Sequence, residues 1–169
     1  DFVGSLETTG PYIEETEASF LTFDNKSPVR IRNLRLTNTY INSTGFFTVS
    51  NDTILENIWI TDSVIYMDDV YFFDFIAGNA TLNNLNLQNL TISNKEKDLI
   101  QFSLTNLVLN SSKFSRLTIK DTSYGIITSM GTIKTLAVLS NLTFENIVYT
   151  FAPGSFTQFT MAYLVRVHS

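Results

Sequence analysis

The sequence predicts an all-β fold: a right-handed parallel β-helix of five to six turns with a period of about 26 residues. Two observations predict it, a composition rich in strand-forming residues and families of short apolar segments that recur at this period within 169 residues. A chain of this length fits one domain. Residues 20–169 are predicted to form the β-helix, continued by further chain or by a partner subunit at its end. Residues 1–19 are predicted to form an N-terminal cap.

The composition favours strands joined by tight turns. The chain contains 22 Thr, 16 Asn, 14 Phe and 7 Tyr, against 3 Pro and 7 Gly. β-Branched and aromatic residues favour strands, and Asn favours turns because it tolerates left-handed backbone. No segment carries a sustained helical period of apolar residues.

Three families of segments define the period. The first reads Asn-apolar-x-apolar and begins at Asn33, Asn57, Asn84 and Asn106, with Thr135 replacing the Asn in a fifth copy. The second begins 26 or 27 residues apart, at Phe20, Phe46, Phe72, Leu99 and Ile126. The third is an apolar residue two positions before each first-family copy. Three strands per period without a helix favour a β-helix over a leucine-rich repeat, whose period is usually shorter or includes a helix.

The repeated x-apolar-x-Asn-apolar-x-apolar pattern resembles right-handed parallel β-helices of the pectin-lyase-like superfamily. In that group an Asn often occupies the tight turn between two strands of each coil, and the stacked side chains form a ladder. The matching positions are Asn33, Asn57, Asn84 and Asn106. The resemblance covers about residues 18–165 and implies a fold, whereas such a fold hosts many functions.

Strand alternation predicts which side chains face the core. Leu34 and Leu36 are predicted to point inward, and position 38 with them. Position 38 would then recur as a second polar column that bonds the backbone of neighbouring coils: Asn38, Asp62, Asn89, Ser111 and Ser140.

The second family allows two interpretations. If its strands alternate strictly, its first residues form an exposed apolar stripe, which marks an interface: Phe20, Phe46, Phe72, Leu99 and Ile126. If the backbone bends at this position, those residues and the ones that follow them both turn inward. The sequence leaves both open.

Charge and composition exclude several function classes. The chain carries 11 Lys and Arg against 16 Asp and Glu, a net charge of -5, which argues against nucleic acid and against electrostatic membrane binding. It has no Cys and one His, so thiolate and multi-histidine metal sites are not expected. No apolar run approaches the roughly 20 residues of a transmembrane segment. We expect no cofactor and no metal.

Seven Asn-x-Ser/Thr sequons indicate a secreted or cell-surface eukaryotic protein with N-linked glycans. The predicted acceptors are Asn42, Asn51, Asn79, Asn110 and Asn141. Asn25 is disfavoured by the nearby Pro28, and Asn89 by its predicted inward orientation. Asn51 and Asn79 are expected to share one column a coil apart.

These patterns predict a non-catalytic extracellular structural glycoprotein that associates with itself or with neighbouring β-helical subunits. The edge at 159–167, or the apolar stripe, would be the contact. The alternatives are a polysaccharide-active hydrolase or lyase and a glycan-binding module. A hydrolase needs convergent carboxylates, and the best acidic pair, Asp68 and Asp69, is interpreted as a solvated loop because no Gly-His-Gly motif accompanies it. Arg30, Arg32 and Arg35 are interpreted as a charge group on the outer face.

Overall fold

The computed structural model describes residues 2–3, 7–9, 12–15, 21–23, 28–43, 47–49, 51–67, 71–76, 78–94, 99–102, 106–120, 126–129, 136–150 and 165–166. Every regular element in these ranges is a β-strand. The strands are β1 (Phe2–Val3), β2 (Glu7–Thr9), β3 (Tyr12–Glu15), β4 (Leu21–Phe23), β5 (Val29–Arg32), β6 (Arg35–Thr37), β7 (Tyr40–Ser43), β8 (Phe47–Val49), β9 (Thr53–Met67), β10 (Phe73–Phe75), β11 (Asn79–Asn94), β12 (Ile100–Phe102), β13 (Asn106–Asn110), β14 (Lys113–Lys120), β15 (Ile127–Ser129), β16 (Leu136–Ser140), β17 (Thr143–Thr150) and β18 (Val165–Arg166).

The strands form two sheets that the chain visits in turn. The larger sheet follows the path β1-β5-β9-β11-β13-β16, with β2, β3, β6, β7, β14 and β17 beside it, and the smaller sheet is β18-β15-β12-β10-β8-β4. Every described strand pair is parallel. The molecule is therefore a parallel β-solenoid, as the sequence predicts.

We call each level of stacked strands a rung. Rung 1 contains β1–β4, rung 2 β5–β8, rung 3 β9 and β10, rung 4 β11 and β12, rung 5 β13–β15, and rung 6 β16–β18. Rungs 2 to 4 are described almost throughout and make about three turns, fewer than the five to six predicted, because the outer rungs are described only in part. The larger sheet extends through β1, β2 and β3 into the segment predicted as a cap.

The second repeat family lies in the predicted register. Phe47, Phe73, Ile100 and Ile127 are Cα partners on successive strands of the smaller sheet. The 26- or 27-residue spacing of these segments thus equals one turn of the backbone.

Two corners interrupt the long strand path of each rung. The first corner consists of Asn33, Asn57, Asn84, Ser111 and Asn141, and the second of Asn38, Asp62, Asn89, Arg116 and Asn146. All ten have positive φ, between 52° and 59°. Asn and Asp tolerate this left-handed conformation better than other residues with a Cβ, which explains why eight of the ten corner residues are Asn or Asp.

Each corner shifts the in-out alternation by one residue. In rung 2, Ile31 is buried, Asn33 is exposed and Leu34 is buried; Leu36, Asn38 and Thr39 repeat the pattern. Inward positions are therefore 29, 31, 34, 36, 39 and 41. The predicted inward column at position 38 was wrong: Asn38, Asp62 and Asn89 are exposed corner residues, and Ser111 belongs to the first corner. The last predicted member, Ser140, pairs with Asn110 on a strand.

One apolar core runs along the solenoid. Along each column, apolar residues of successive rungs stack on one another. One such column consists of Leu36, Ile60, Leu87 and Phe114, which are all fully buried. Beneath the smaller sheet the core is aromatic: the rings of Phe75 and Phe102 are stacked with centroids 5.1 Å apart.

The stripe predicted as an interface lies in this core, so that prediction was wrong for its described members. Phe72 and Ile126 are 0% exposed and Leu99 is 4% exposed. The chain bends at each of them, and their carbonyl groups accept backbone bonds, as when Phe47 N donates to Phe72 O at 3.0 Å. Because of the bend, these residues and those that follow them both point inward, which is the second interpretation above. Phe20 and Phe46 lie outside the described residues.

We predict that Phe75→Ala lowers the free energy of unfolding by about 3–5 kcal/mol, because it removes a buried ring and leaves a cavity. The neighbouring Ile76 is 44% exposed, so Ile76→Ala should change stability by less than about 0.5 kcal/mol. Urea unfolding of both variants measures the difference. Equal losses would contradict the core described here.

Candidate functional site

Amide side chains form a ladder along the first corner. Asn57 Nδ2 donates to Asn33 Oδ1 at 3.0 Å, and Asn84 Nδ2 donates to Asn57 Oδ1 at 2.9 Å. Each bond contributes about 1 kcal/mol and joins residues one turn apart. The ladder therefore holds neighbouring rungs in register, as predicted for Asn33, Asn57 and Asn84.

Asn106, the fourth predicted ladder residue, lies in a different column, and that part of the prediction was wrong. It is the Cα partner of Asn79, and its Nδ2 donates to Asn79 Oδ1. Ser111 stands at the first corner of rung 5 instead. The motif at 106 resembles the earlier copies, but it follows Asn84 by 22 residues, whereas the turn takes 27.

A second ladder joins the starts of three rungs, Asp52, Asn79 and Asn106. Asp52 Oδ1 accepts hydrogen bonds from Asn79 N at 2.8 Å and from Asn79 Nδ2 at 2.9 Å. Gly78 precedes this contact with φ +84°, and a Cβ there would lie 2.6 Å from Asp52 Oδ1. Glycine is therefore required at 78. Asn79 stacks on Asp52, not on Asn51 as expected.

The predicted glycan acceptors differ in how their side chains are engaged. Asn79, in the second ladder, is exposed. Asn141 is exposed and donates to Asn110 Oδ1 at 3.1 Å. Asn51 is half-buried, and its Oδ1 accepts from Asp52 N at 2.9 Å. Asn42 is half-buried at an outward position of β7, and its side chain makes no hydrogen bond to another described residue.

Asn89, which the sequence interpretation set aside, is exposed at the second corner. Its Nδ2 donates to Asp62 Oδ1 at 2.6 Å. Because the corner turns its side chain outward, its predicted inward orientation was wrong and does not exclude it as a glycan acceptor. Asn25 lies outside the described residues.

The arginine group of rung 2 lies on the outer face, as expected from the sequence, and contacts rung 3. Arg32 Nε is 2.5 Å from Glu56 Oε2, and the Arg35 guanidinium carbon lies 4.8 Å from the centre of the Trp59 ring. The Arg32 and Glu56 side chains are 38% and 30% exposed, so this pair adds little stability. These contacts, like the ladders, join one rung to the next.

Two polar side chains on the smaller sheet each have a buried oxygen without a hydrogen-bond partner. Asp74 Oδ1 and Gln101 Oε1 are buried without a hydrogen-bond partner, on strands where the two residues are Cα partners. Burial raises the pKa of Asp74 above its ordinary value of 3.8.

Rung 6 exposes side chains that rungs 2 to 5 bury. Leu139 is 36% exposed, whereas Leu55, Leu82 and Leu109 in the same column are at most 2% exposed. Phe144, Ile147 and Tyr149 likewise are half-buried, although the residues before them in their columns are buried. In the described strands, β16 pairs with β13 and β17 with β14, and neither has a partner on its other side. Rung 6 therefore presents an open sheet edge with apolar side chains beside it.

No protein-family model, curated protein sequence or solved structure matches this chain. Within the described ranges, no helix is long and apolar enough to cross a membrane. In the same ranges, no three His, Asp or Glu side chains are grouped so that they could hold a metal ion.

Sequence reasoning missed most corner residues of rungs 5 and 6. A signal was present: in rungs 2 to 6 the two corners are five residues apart, as in Asn33 and Asn38 or Asn141 and Asn146. Arg116 breaks the pattern because Arg is not a turn-forming residue, so composition gives no indication of a corner there.

We predict that Asn57→Ala destabilises the protein more than Asn57→Gly. Both variants lose two ladder bonds, each worth about 1 kcal/mol. Ala additionally pays about 1–2 kcal/mol for left-handed backbone, which Gly adopts freely. Urea unfolding gives both values. A Gly variant as unstable as the Ala variant would show that the backbone conformation contributes nothing.

We predict that Asp74→Asn raises the melting temperature at pH 7. Since burial raises the folded-state pKa of Asp74 above 3.8, the wild type loses stability as pH rises from about 3.8 through that folded-state value, and the Asn variant does not. The advantage should therefore vanish below about pH 3.8. Asp62→Asn, at an exposed carboxylate that accepts a bond from Asn89, is the control and should give no increase. A lower melting temperature for Asp74→Asn at pH 7 would contradict the prediction.

Proposed function

We propose that this chain is a non-catalytic structural module of an extracellular glycoprotein that associates end to end into a fibre, filament or surface layer. One observation carries the proposal: rung 6 combines an open parallel edge with half-buried core residues in the described part of the chain. An unpaired edge of this kind is a template for further strand pairing.

The energetics favour a function in assembly. In the inner rungs, the side chains of the columns that end at Leu139 and Phe144 are covered by a neighbouring rung on each side and are buried. Every Å² of apolar surface covered in this way contributes about 25 cal/mol. Covering the last rung with another β-solenoid rung would bury these side chains as the inner rungs do. Rung 6 is the surface that we propose for the self-association predicted from the sequence, because Phe72, Leu99 and Ile126 of the stripe are buried. Of the predicted edge at 159–167, only 165–166 lie within the described residues.

Glycosylation belongs to the proposal. Seven sequons, with acceptors at outward or corner positions such as Asn42, Asn89 and Asn141, support a secreted or cell-surface eukaryotic protein. Among the predicted acceptors Asn42 is the strongest, because the side chains of Asn79 and Asn110 already take part in inter-rung bonds. N-linked glycans would add solubility around the sides of the solenoid, with neighbouring β-solenoid subunits as the partners at its ends.

The kinship with pectin-lyase-like β-helices also belongs to the proposal, and the Asn ladder at the first corner supports it. A non-catalytic function is supported by the carboxylates of rung 3 on the larger sheet: Asp52, Glu56 and Asp62 occupy separate columns, and each has its own polar partner. Asp74, the other described carboxylate of rung 3, lies on the smaller sheet with Gln101 as its Cα partner. Asp68 and Asp69 lie outside the described residues. If the protein cleaves a polysaccharide, an enzymatic function replaces the one proposed here.

We predict that the protein secreted from eukaryotic cells sediments as multimers and that Leu139→Lys shifts it toward monomer at equal concentration, because a charge at this inward position opposes burial in an interface. The same sample should lose mass on enzymatic removal of N-linked glycans, and less so in Asn42→Gln. Analytical ultracentrifugation and intact-mass spectrometry are the measurements.

Val64→Lys is the matched control, since Val64 is 43% exposed in rung 3, away from the open edge. It should leave the sedimentation unchanged. Equal losses of association in both variants would show that the effect is general surface charge. A monomeric wild type, or release of reducing ends from a polysaccharide, would overturn the proposed function.

A further inference from the structure

We infer that the last rung of one copy binds the first rung of a second copy in parallel, head to tail, so that the sheets continue across the junction. This inference rests on the proposed function and adds the partner, the polarity and the register. Both surfaces belong to the described strands, β16 and β17 in rung 6 and β1, β2 and β3 in rung 1.

Both edges are unpaired among the described strands. β1, β2 and β3 pair with β5, β6 and β7, and each has its other side free of a described strand, as do β16 and β17 at the opposite end. Every described pairing within the molecule is parallel. A head-to-tail junction repeats that pairing, with strands about 4.8 Å apart.

The register of the columns is compatible across such a junction. Followed from rung to rung, the column that ends at Leu139 begins at Phe2, and the column that ends at Tyr149 begins at Ile13. Continuing these two columns places an apolar residue level with an apolar residue, whereas the column that ends at Phe144 begins at Thr8. The half-buried side chains of rung 6 would therefore meet positions of the same in-out phase.

The outward columns bring no like charges level with one another. Thr143 would lie level with Glu7, Thr9 with Glu145, and Thr150 with Glu14 in the continued register. Each of these acidic residues thus has a Thr as its Cα partner across the junction. Like charges directly opposite would destabilise the pairing, and the register avoids them.

A two-fold junction between two last rungs fits poorly. In an antiparallel pairing, both corners stack when Asn141 of one copy lies opposite Asn146 of the other. That register sets Phe144, which points inward, opposite Thr143, which points outward. A shift of one residue exchanges the two faces of a strand, so the corners and the core cannot both be matched. The parallel junction keeps the described strands in the register that they have inside the molecule.

A head-to-tail junction of this kind adds each copy along the solenoid axis, so repeated addition gives an open filament with a direction and not a closed ring. The number of rungs per copy would set the filament's axial repeat.

The absence of Cys from the sequence makes the junction directly testable. In the variant with Glu7→Cys and Thr143→Cys, the two positions lie in the same outward column at opposite ends of one copy. Across a head-to-tail junction their Cα atoms would lie about 4.8 Å apart, within the range of a disulfide. We expect mild oxidation to give disulfide-linked dimers, trimers and higher multimers on a non-reducing gel, and reduction to reverse them.

Two matched variants fix the geometry. Thr143→Cys without the second change should give no multimers, and Glu14→Cys with Thr143→Cys should not cross-link, because its cysteines lie in different columns. Dimers from Thr143→Cys without the second change would overturn the inference in favour of a two-fold junction and leave the proposed function intact. Multimers in sedimentation without any cross-link would overturn it in favour of lateral contacts. A protein that stays monomeric and uncross-linked would overturn both.

Discussion

The left-handed corner residue is the constraint on which the rest of the structure depends. At each corner the backbone takes a positive φ, and the alternation of inward and outward side chains shifts by one residue. Leu34 and Thr39 point inward because Asn33 and Asn38 precede them. Since the same shift occurs in rungs 2 to 6, the inward residues of these rungs fall into columns, and those columns form the core.

Because the rungs stack in register, the contacts between them join residues that lie one turn apart. Amide ladders, the pair of Arg32 and Glu56, and the stacked rings of Phe75 and Phe102 all join residues in adjacent rungs. Such a solenoid is stabilised rung by rung, because each rung contacts its neighbours on either side. The consequence appears at rung 6, where Leu139 and Phe144 have a neighbour below and none above among the described strands. That asymmetry is the observation on which the proposed function in end-to-end assembly rests.

The surface divides into sides and ends with different chemistry. Among the sequons, Asn42 and Asn89 lie on the sides of inner rungs, whereas Asn141 lies at the first corner of rung 6. Among the described strands, those of rungs 1 and 6 have unpaired edges, and apolar side chains lie beside the edge of rung 6. The poorly satisfied Asp74 and Gln101 lie on the smaller sheet, where their partial burial costs stability in the isolated molecule. The unpaired edge of rung 6 and the proposed glycans on the inner rungs together support the proposal of growth along the axis.

The sequence by itself determined the all-β class, the parallel β-solenoid, the register of the smaller sheet, and the ladder of Asn33, Asn57 and Asn84. These follow from local residue types repeated at a fixed period, which sequence displays directly. Tertiary structure decided the position of Asn106, the burial of Phe72, and the exposure of Asn38 and Asn89. Each depends on where the backbone turns, and one residue at a corner or a bend exchanges inside for outside. The sequence shows where the sequons are. The stacking of the rungs decided which of their Asn side chains bond to a neighbouring rung.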